Sequence, residues 1–599
     1  MKQLLTLTAL MCSVLLFAQQ ETAQYNDINY QLNPSDGTAA VAPTPNVSGE
    51  LLLPEEITVG QKTYKVTEIG EKAFKGCKKL TSVVLPQTLE HIYRNAFDGT
   101  GVMNDKSLWA DGALIIDNCL IATNKSIKAK YVVPATVRLI AAGAFENNKT
   151  VTNVVLHNEL TMIDHDTFKG CKNLTKVNIP ASVKWIGQDA FTDCGIYNNE
   201  KKWKRGSLFI DGCLIRVNDA APAKYVFKTK QPTRLIASAA FAGTQKMKIK
   251  VKTITIPEGI EAIPTAAFYQ CENLQDVVLP QSLKKIGMYA FYGCDKLKSI
   301  NLPEGLEELG AGAFYGCVNL PDVKLPAGLK EIPKACFFTC RKFTNINFPA
   351  GLKTIEDGAF TGCSELEKLD LPENLEELGE MAFAGCAKLT KVVIPEKVTT
   401  IKKGAFRDCT HLLNLQLPEG LYAIDDEAFT GCLQIEKLAL PKELFRIGQR
   451  AFAECQNLAA VTFCERLNAI ETEAFKNCIQ LHDIALPAQL EVLGNNAFDK
   501  CINLRTVVFG DKLEKIGNSA FIGCRSLQEV KMPKMLKEIG VQAFAECKYL
   551  SKVIWAEQLE LEYIDDEAFL NCERLEVPEL DEYVDYGRNV FKGCKQPAE

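Results

Sequence analysis

A phenylalanine returns every 23 residues through the middle and C-terminal parts of this chain. Phe268, Phe291, Phe314, Phe337, Phe360, Phe383, Phe406, Phe429, Phe452, Phe475, Phe498, Phe521 and Phe544 hold that spacing. Alanine precedes nearly all of them, with Cys336 the exception, and a cysteine follows each at the third position. Phe74/Cys77, Phe168/Cys171 and Phe191/Cys194 carry the pattern towards the N-terminus, and Phe569/Cys572 and Phe591/Cys594 carry it to the C-terminal end. A period this short admits few folds. Each unit is too small to bury its own apolar face, so units must stack and share one core. The 599 residues exceed what a single compact core serves, and the repeat favours an array over a string of independent domains.

One unit reads Leu297-Lys-Ser-Ile300-Asn-Leu302-Pro303, then Leu306, Leu309-Gly310 and Ala313-Phe314-Tyr315-Gly316-Cys317. Its first part alternates apolar and polar residues, which predicts a short strand. Pro303 ends the strand because proline has no N–H for the ladder. One or two helical turns are expected around Ala-Phe-x-Gly-Cys. Glycine recurs after the second apolar block at Gly70, Gly187, Gly287, Gly310, Gly379, Gly448, Gly494, Gly517 and Gly540, but Pro264 and Pro333 occupy the same slot. Proline holds φ near −65°, so the slot does not need a left-handed residue, and tight packing is the expected reason for the glycines.

The pattern Leu-x-x-Val-x-Leu-Pro-x-x-Leu-x-x-Ile-Gly-x-x-Ala-Phe-x-Gly-Cys resembles the BspA-like leucine-rich repeat and covers about residues 66 to 594. The resemblance implies a leucine-rich-repeat solenoid, mainly β with short 3-10 or α turns. It would have 23-residue coils, a parallel sheet on one face and two inserted β-hairpins. The slot that carries Asn or Cys after the strand in the more familiar repeat here holds Gly305, Gly328, Gly351 or Asn374, so no asparagine ladder is carried over.

Two longer units, near 98–144 and 192–240, break the period. Trp109 to Ile121 and Trp203 to Ile215 match at an offset of 94, and Asp117-Asn118 and Asp211-Gly212 have hairpin-turn chemistry. The expected organisation is a signal peptide over 1–18, an N-terminal β cap over 19–65, the solenoid over 66–572, and a final repeat with a C-terminal cap over 573–599. Lys2 and the apolar run Leu4 to Phe17, followed by Ala18 and Gln19, motivate the signal peptide. No later stretch has the ~20 apolar residues that span a bilayer.

Acidic and basic residues are mixed, with a formal net charge of −6, so nucleic acid is not expected as a partner. Eighteen of the 23 cysteines share the slot after Phe. They read as buried small hydrophobes, although stacked coils ~4.8 Å apart would also permit occasional disulfides. Zinc is not expected, because no Cys-x-x-Cys knuckle occurs. Cys119, Cys213, Cys336 and Cys464 lie off register. A Cys409–His411 pair is a poor geometric case for catalysis. Asp425-Asp426-Glu427, Asp565-Asp566-Glu567, and Asp164 and Asp166 around His165 read either as cation sites or as solvated turns.

No catalytic motif and no cofactor site is found. The expected function is recognition of an extracellular protein or glycan by an exported or surface-held chain. The alternative is a periplasmic or envelope scaffold. Resemblance to BspA-like proteins implies adhesion. The binding face is placed on outward residues of the parallel strands: Thr253, Thr255, Asn301, Asn345, Asn347, Asn414, Gln416 and Thr462. Lys324, Lys368, Asp370, Lys437, Asp483, Glu529 and Lys531 share the stripe.

Overall fold

A typical coil of the array carries three sets of hydrogen bonds to its neighbours. In the coil that begins at Leu366, the strand Lys368–Asp370 lies parallel to Asn345–Asn347 one coil earlier. Pro372 follows, and Leu375 N–H closes a turn on the Pro372 carbonyl at 3.0 Å. A second strand, Glu377–Leu378, lies parallel to Thr354–Ile355. The chain then turns through Ala382-Phe383. Here alternate N–H groups reach the next coil: Met381 to Lys403 O at 2.9 Å, Phe383 to Ala405 O at 2.9 Å and Gly385 to Arg407 O at 2.7 Å. The N–H groups between them bond locally, Ala382 to Gly379 O, Ala384 to Met381 O and Cys386 to Phe383 O. These local bonds have the i→i−3 pattern of a 3-10 turn.

No helix runs there, because Met381 (φ 52°) and Gly385 (φ 70°), four residues apart, are left-handed and interrupt it. Among the described residues, helical segments occur only at Gly101–Asn104, Lys106–Leu108 and Glu200–Lys202, all in the two longer units. The second parallel ladder and the left-handed steps are additions to the sequence expectation of one sheet and short helical turns.

The core follows from this geometry. Leu366, Leu369, Leu375, Leu378, Ala382, Phe383 and Cys386 all point inward and are buried. From Phe268 to Phe591 the rings stack face to face, with centroids 5.0 to 5.7 Å apart and planes within 12°. The glycine slot is a close approach between coils, as expected. A Cβ on Gly379 would lie 2.4 Å from both Asp357 N and Glu356 C, and one on Gly310 would lie 2.3 Å from Met288 N.

This computed structural model describes residues 21–34, 36–227, 231–244, 247–556, 560–578 and 583–596. The expected signal peptide lies outside them, as do residues 579–582 and 597–599 of the expected C-terminal cap. The chain divides into two compact units, one within Met1–Pro222 and Lys228–Phe241, the other within Ala223–Phe227 and Ala242–Glu599. No helix among the described residues is long and apolar enough to cross a membrane.

The first unit opens with antiparallel strands Thr22–Tyr25, Ile28–Asn33 and Thr38–Val41. A hairpin of Glu56–Val59 with Lys62–Ile69 follows. Val41 O accepts the Gly70 N–H at 2.8 Å, which joins these strands to the first coil. Both hairpins are present: Ala113–Ile116 with Cys119–Thr123, and Ser207–Ile210 with Cys213–Val217. Asp117 and Asn118 both have positive φ, as do Asp211 and Gly212, the geometry of a type I′ turn. Each hairpin also gains a third strand, Trp109–Ala110 or Trp203–Lys204, through a second tight turn at Asp111-Gly112 or Arg205-Gly206. The indole N–H groups of Trp109 and Trp203 donate to the carbonyls of Met103 and Tyr197. This shared anchor explains why the two tryptophans recur at the offset of 94.

Candidate functional site

The outer face of the first strands presents two rows of side chains per coil, because successive residues of a strand point to opposite sides. In the second unit, Thr255, Asn347, Asn414, Gln416 and Thr462 are exposed on this face, while Thr253 and Asn345 are half-buried. Parallel registers bring Asn414 beside Lys391 and Gln416 beside Val393.

The side chain of one expected residue serves structure. Asn301 gives its amide to the neighbouring coil, accepting Leu279 N–H at 3.0 Å and donating to Leu279 O at 3.2 Å, so it extends the ladder. The Asn345 N–H donates to Asp322, and its side-chain oxygen is buried. Asp322 stands at a break in the sheet. Pro321 occupies the position whose N–H crosses to the previous coil in other repeats, and no strand forms there. The Asp322 carboxylate substitutes by accepting Thr344 N–H at 2.7 Å and Thr344 Oγ1–H at 2.8 Å.

The stripe is also less polar than expected. Val278, Val393 and Val508 stand in the same outward row and are 50%, 42% and 45% exposed. They follow the same alternation as the polar residues and were legible in the sequence.

Comparison with known proteins bears on this arrangement. The model of the BspA-type leucine-rich repeat region matches six times, at residues 55–124, 114–199, 227–342, 330–459, 376–504 and 468–597. The chain belongs to the BspA-type leucine-rich repeat family. Curated proteins give no match. Among solved structures, a leucine-rich repeat protein from Bacteroides ovatus is 21% identical, covers 89% of this chain and 100% of its own, and has a TM-score of 0.33. A leucine-rich cell surface protein from Faecalibacterium prausnitzii is 18% identical over 90% of this chain and 96% of its own, with a TM-score of 0.20. The pneumococcal vaccine antigen PcpA is 14% identical over 90% and 99%, with a TM-score of 0.24.

The cysteines of this BspA-type array are structural in their contacts. All 22 in the described residues are free and buried. In most repeat slots the thiol donates to the Phe carbonyl of the preceding coil, as in Cys386 to Phe360 O at 3.5 Å and Cys409 to Phe383 O at 3.3 Å. Burial pushes the Cys409 and Cys455 thiols up to about 12, which keeps them protonated and able to donate. Cys336 fills an alanine slot, and Cys464 donates to Leu444 O at 3.2 Å. Thiol reagents are therefore expected to label almost none of these groups in the native chain and nearly all of them after denaturation without reductant. A low count in the denatured chain would reveal disulfides and refute this assignment.

The other sequence candidates also resolve. His411 is exposed and its Nδ1 donates to Ala387 O, away from Cys409. Arg446 binds Asp425, Asp426 and Glu471 at 3.3 to 3.5 Å, and Arg588 binds Asp566 through two nitrogens. These acidic turns pair with solvent-accessible guanidinium groups, and no three His, Cys, Asp or Glu converge as metal ligands among the described residues.

Asp164 corrects the expectation of a solvated turn. It is fully buried, and its carboxylate accepts from His91 Nδ1 at 3.0 Å and from His165 N–H at 2.6 Å. Trp185 packs edge-on against both imidazoles, and Tyr93 stacks on His91. Sequence spacing gave no sign of this cluster, since its members come from separate coils.

Proposed function

We propose that this chain is an exported, surface-associated binding protein that recognises protein or glycan through the outward face of its first strands and catalyses no reaction. The observation that carries the reading is the stripe itself. Coil after coil presents side chains such as Asn347, Asn414, Gln416 and Thr462, with exposed valines between them, on a backbone fixed by ladder bonds. A rigid repeated surface suits broad contact with modest affinity per coil and gain through multivalency. A cavity beside Asp189, Tyr197, Arg216 and Ser238 has a volume of about 20 Å³, room for about one water, and another beside Thr244, Lys248, Gln270 and Glu272 has a volume of about 240 Å³. Buried thiols and arginine-paired carboxylates support the absence of catalysis.

The test is a screen of the mature chain against immobilised extracellular-matrix proteins, glycans and bacterial surfaces, followed by Asn347, Asn414, Gln416 and Thr462 replaced together by Ala. The variant is expected to unfold like the parent and to lose at least about tenfold in affinity, since several interface side chains are truncated at once. An unchanged affinity, with Asp425→Asn abolishing binding instead, would move the site off the sheet. A chain that binds nothing in the screen would favour the envelope scaffold.

A further inference from the structure

The first unit carries a second pattern on its outward strand face. Lys130 and Lys176 stand in one row on either side of Asn153, in the register Lys130–Asn153–Lys176. Lys125, Lys149 and Lys172 occupy one position at the turns that lead into these strands, directly after Asn124, Asn148 and Cys171. All five are exposed, and none forms an ion pair among the described residues, although nearby Lys128 pairs with Asp111 at 2.8 Å.

Several exposed lysines of the second unit are paired instead. There Lys284 meets Glu307, Lys353 meets Glu376 and Lys552 meets Glu529, each one coil away. Like charges stacked on adjacent strands are destabilising, and coils lie only ~4.8 Å apart. In the first unit Lys149 and Lys172 stand one coil apart with no acid between them, a stacking that the second unit also shows in register at Lys368 and Lys391. The even mixing of charge expected from the sequence also fails locally. The first-unit residues 121–222 and 228–241 contain 17 Lys and Arg against 9 Asp and Glu, a net of +8 in a chain of net −6.

The patch has an apolar floor and a fixed frame. Val132, 57% exposed, is paired in register with half-buried Val155 between the lysine-bearing coils. Thr150 donates to Lys125 O, Thr152 to Ala129 O, Thr175 to Thr152 O, and Asn173 to Lys149 O, at 2.7 to 3.2 Å. These bonds hold the backbone that carries the lysines, so the ordering on binding falls on the side chains alone.

We propose that this patch binds a linear sulfated polysaccharide. Sugar C–H faces would lie on Val132 and Val155, and sulfates would sit between the two lysine rows. Lysine is a compact point charge that accepts a tetrahedral anion from many directions. The patch contains no aromatic ring on which a base could stack and no arginine to read a base edge, which favours a polysaccharide over a nucleic acid. The proposal names a ligand class for the strand face proposed above and rests on that reading, but it uses none of the second-unit residues.

The experiment measures binding of the mature full chain to immobilised heparin at about 0.15 M salt, with desulfated heparin and duplex DNA as comparisons. Wild type is expected to bind heparin, with affinity falling steeply as salt rises. The variant with Lys125→Gln, Lys130→Gln, Lys149→Gln, Lys172→Gln and Lys176→Gln is expected to lose at least about tenfold, and desulfation of the ligand to cost a similar factor. Unfolding curves check the fold. If the fivefold variant is unfolded, the K125Q/K149Q/K172Q and K130Q/K176Q variants are each expected to lose part of the affinity. Heparin binding should survive in the Asn347, Asn414, Gln416 and Thr462 alanine variant, which separates the two surfaces. The proposal is overturned if wild type does not bind heparin or if the folded lysine variants bind it unchanged. It is also overturned if desulfated heparin binds equally well, if DNA binds more tightly through the same lysines, or if the second-unit variant loses heparin.

Discussion

Phe406→Ala is expected to destabilise the second unit by about 3 to 5 kcal/mol, the range for a large side chain removed from a packed core. The Phe406 ring is fully buried and stacks on Phe383 at 5.7 Å and on Phe429 at 5.5 Å. Its backbone bonds remain available to alanine, including the N–H donated to Ala428 O at 2.9 Å and the carbonyl that accepts the Cys432 thiol. The loss is therefore one of packing. In an array where each coil touches only its neighbours, damage spreads along the chain. Amide exchange should accelerate in the coils around Phe383 and Phe429 before it does near Phe544. Guanidinium unfolding followed by circular dichroism measures the total. A midpoint equal to wild type would remove the ring from its assigned role.

The period and the inward residues of each coil were legible because they are set by local alternation and by a strict repeat. Asp117-Asn118 and Asp211-Gly212 announced their hairpins through turn chemistry. The left-handed steps were hidden. In most coils the residue before Ala-Phe is not glycine: Tyr289, Met381, Glu427 and Arg450 all have positive φ. Each costs about 1 to 2 kcal/mol in isolation, offset in this fold by the N–H it sends to the next coil. That compensation exists only between stacked coils, so a single unit read alone cannot reveal it. The thiol-to-carbonyl bonds were hidden for the same reason.

The outward face was legible as an alternation, and its contacts across coils were not. Alternation identified Asn301 and Asn345 as outward, but their partners, Leu279 and Asp322, lie one coil away. Pro321 did signal the sheet break, since a proline cannot donate to a ladder. The lysines of the first unit were obscured by chain-wide charge balance. Whether an exposed lysine has a carboxylate one coil away is a property of stacking and register.

Asp164→Asn is expected to destabilise the first unit most at acidic pH, by up to about 3 kcal/mol, as for one partner removed from a buried pair. Asparagine keeps the volume and the acceptor for His165 N–H, so the change isolates the charge. Burial works to lower the His91 pKa, but the hydrogen bond and charge of Asp164, with Glu68 and Glu90 behind them, outweigh it and raise the value above the ordinary range. His165 is shifted the other way: burial lowers it, against the pull of Asp164 and Asp166. Glu68, itself raised by burial, and Tyr93 complete the surroundings of His91. The raised folded value means that the His91 interaction stabilises fully below the unfolded value of about 6.5 and is lost as pH rises through the folded value. Removing the Asp164 charge makes both imidazoles harder to protonate, so the variant loses further stability as pH falls. The gap between wild type and variant should therefore be widest near pH ~5.5 and narrow towards alkaline pH. Unfolding midpoints across that range, with Trp185 as a local fluorescent reporter, measure the gap. A gap that is flat with pH, or that grows on the alkaline side, would show that Asp164 does not hold His91 in its charged form.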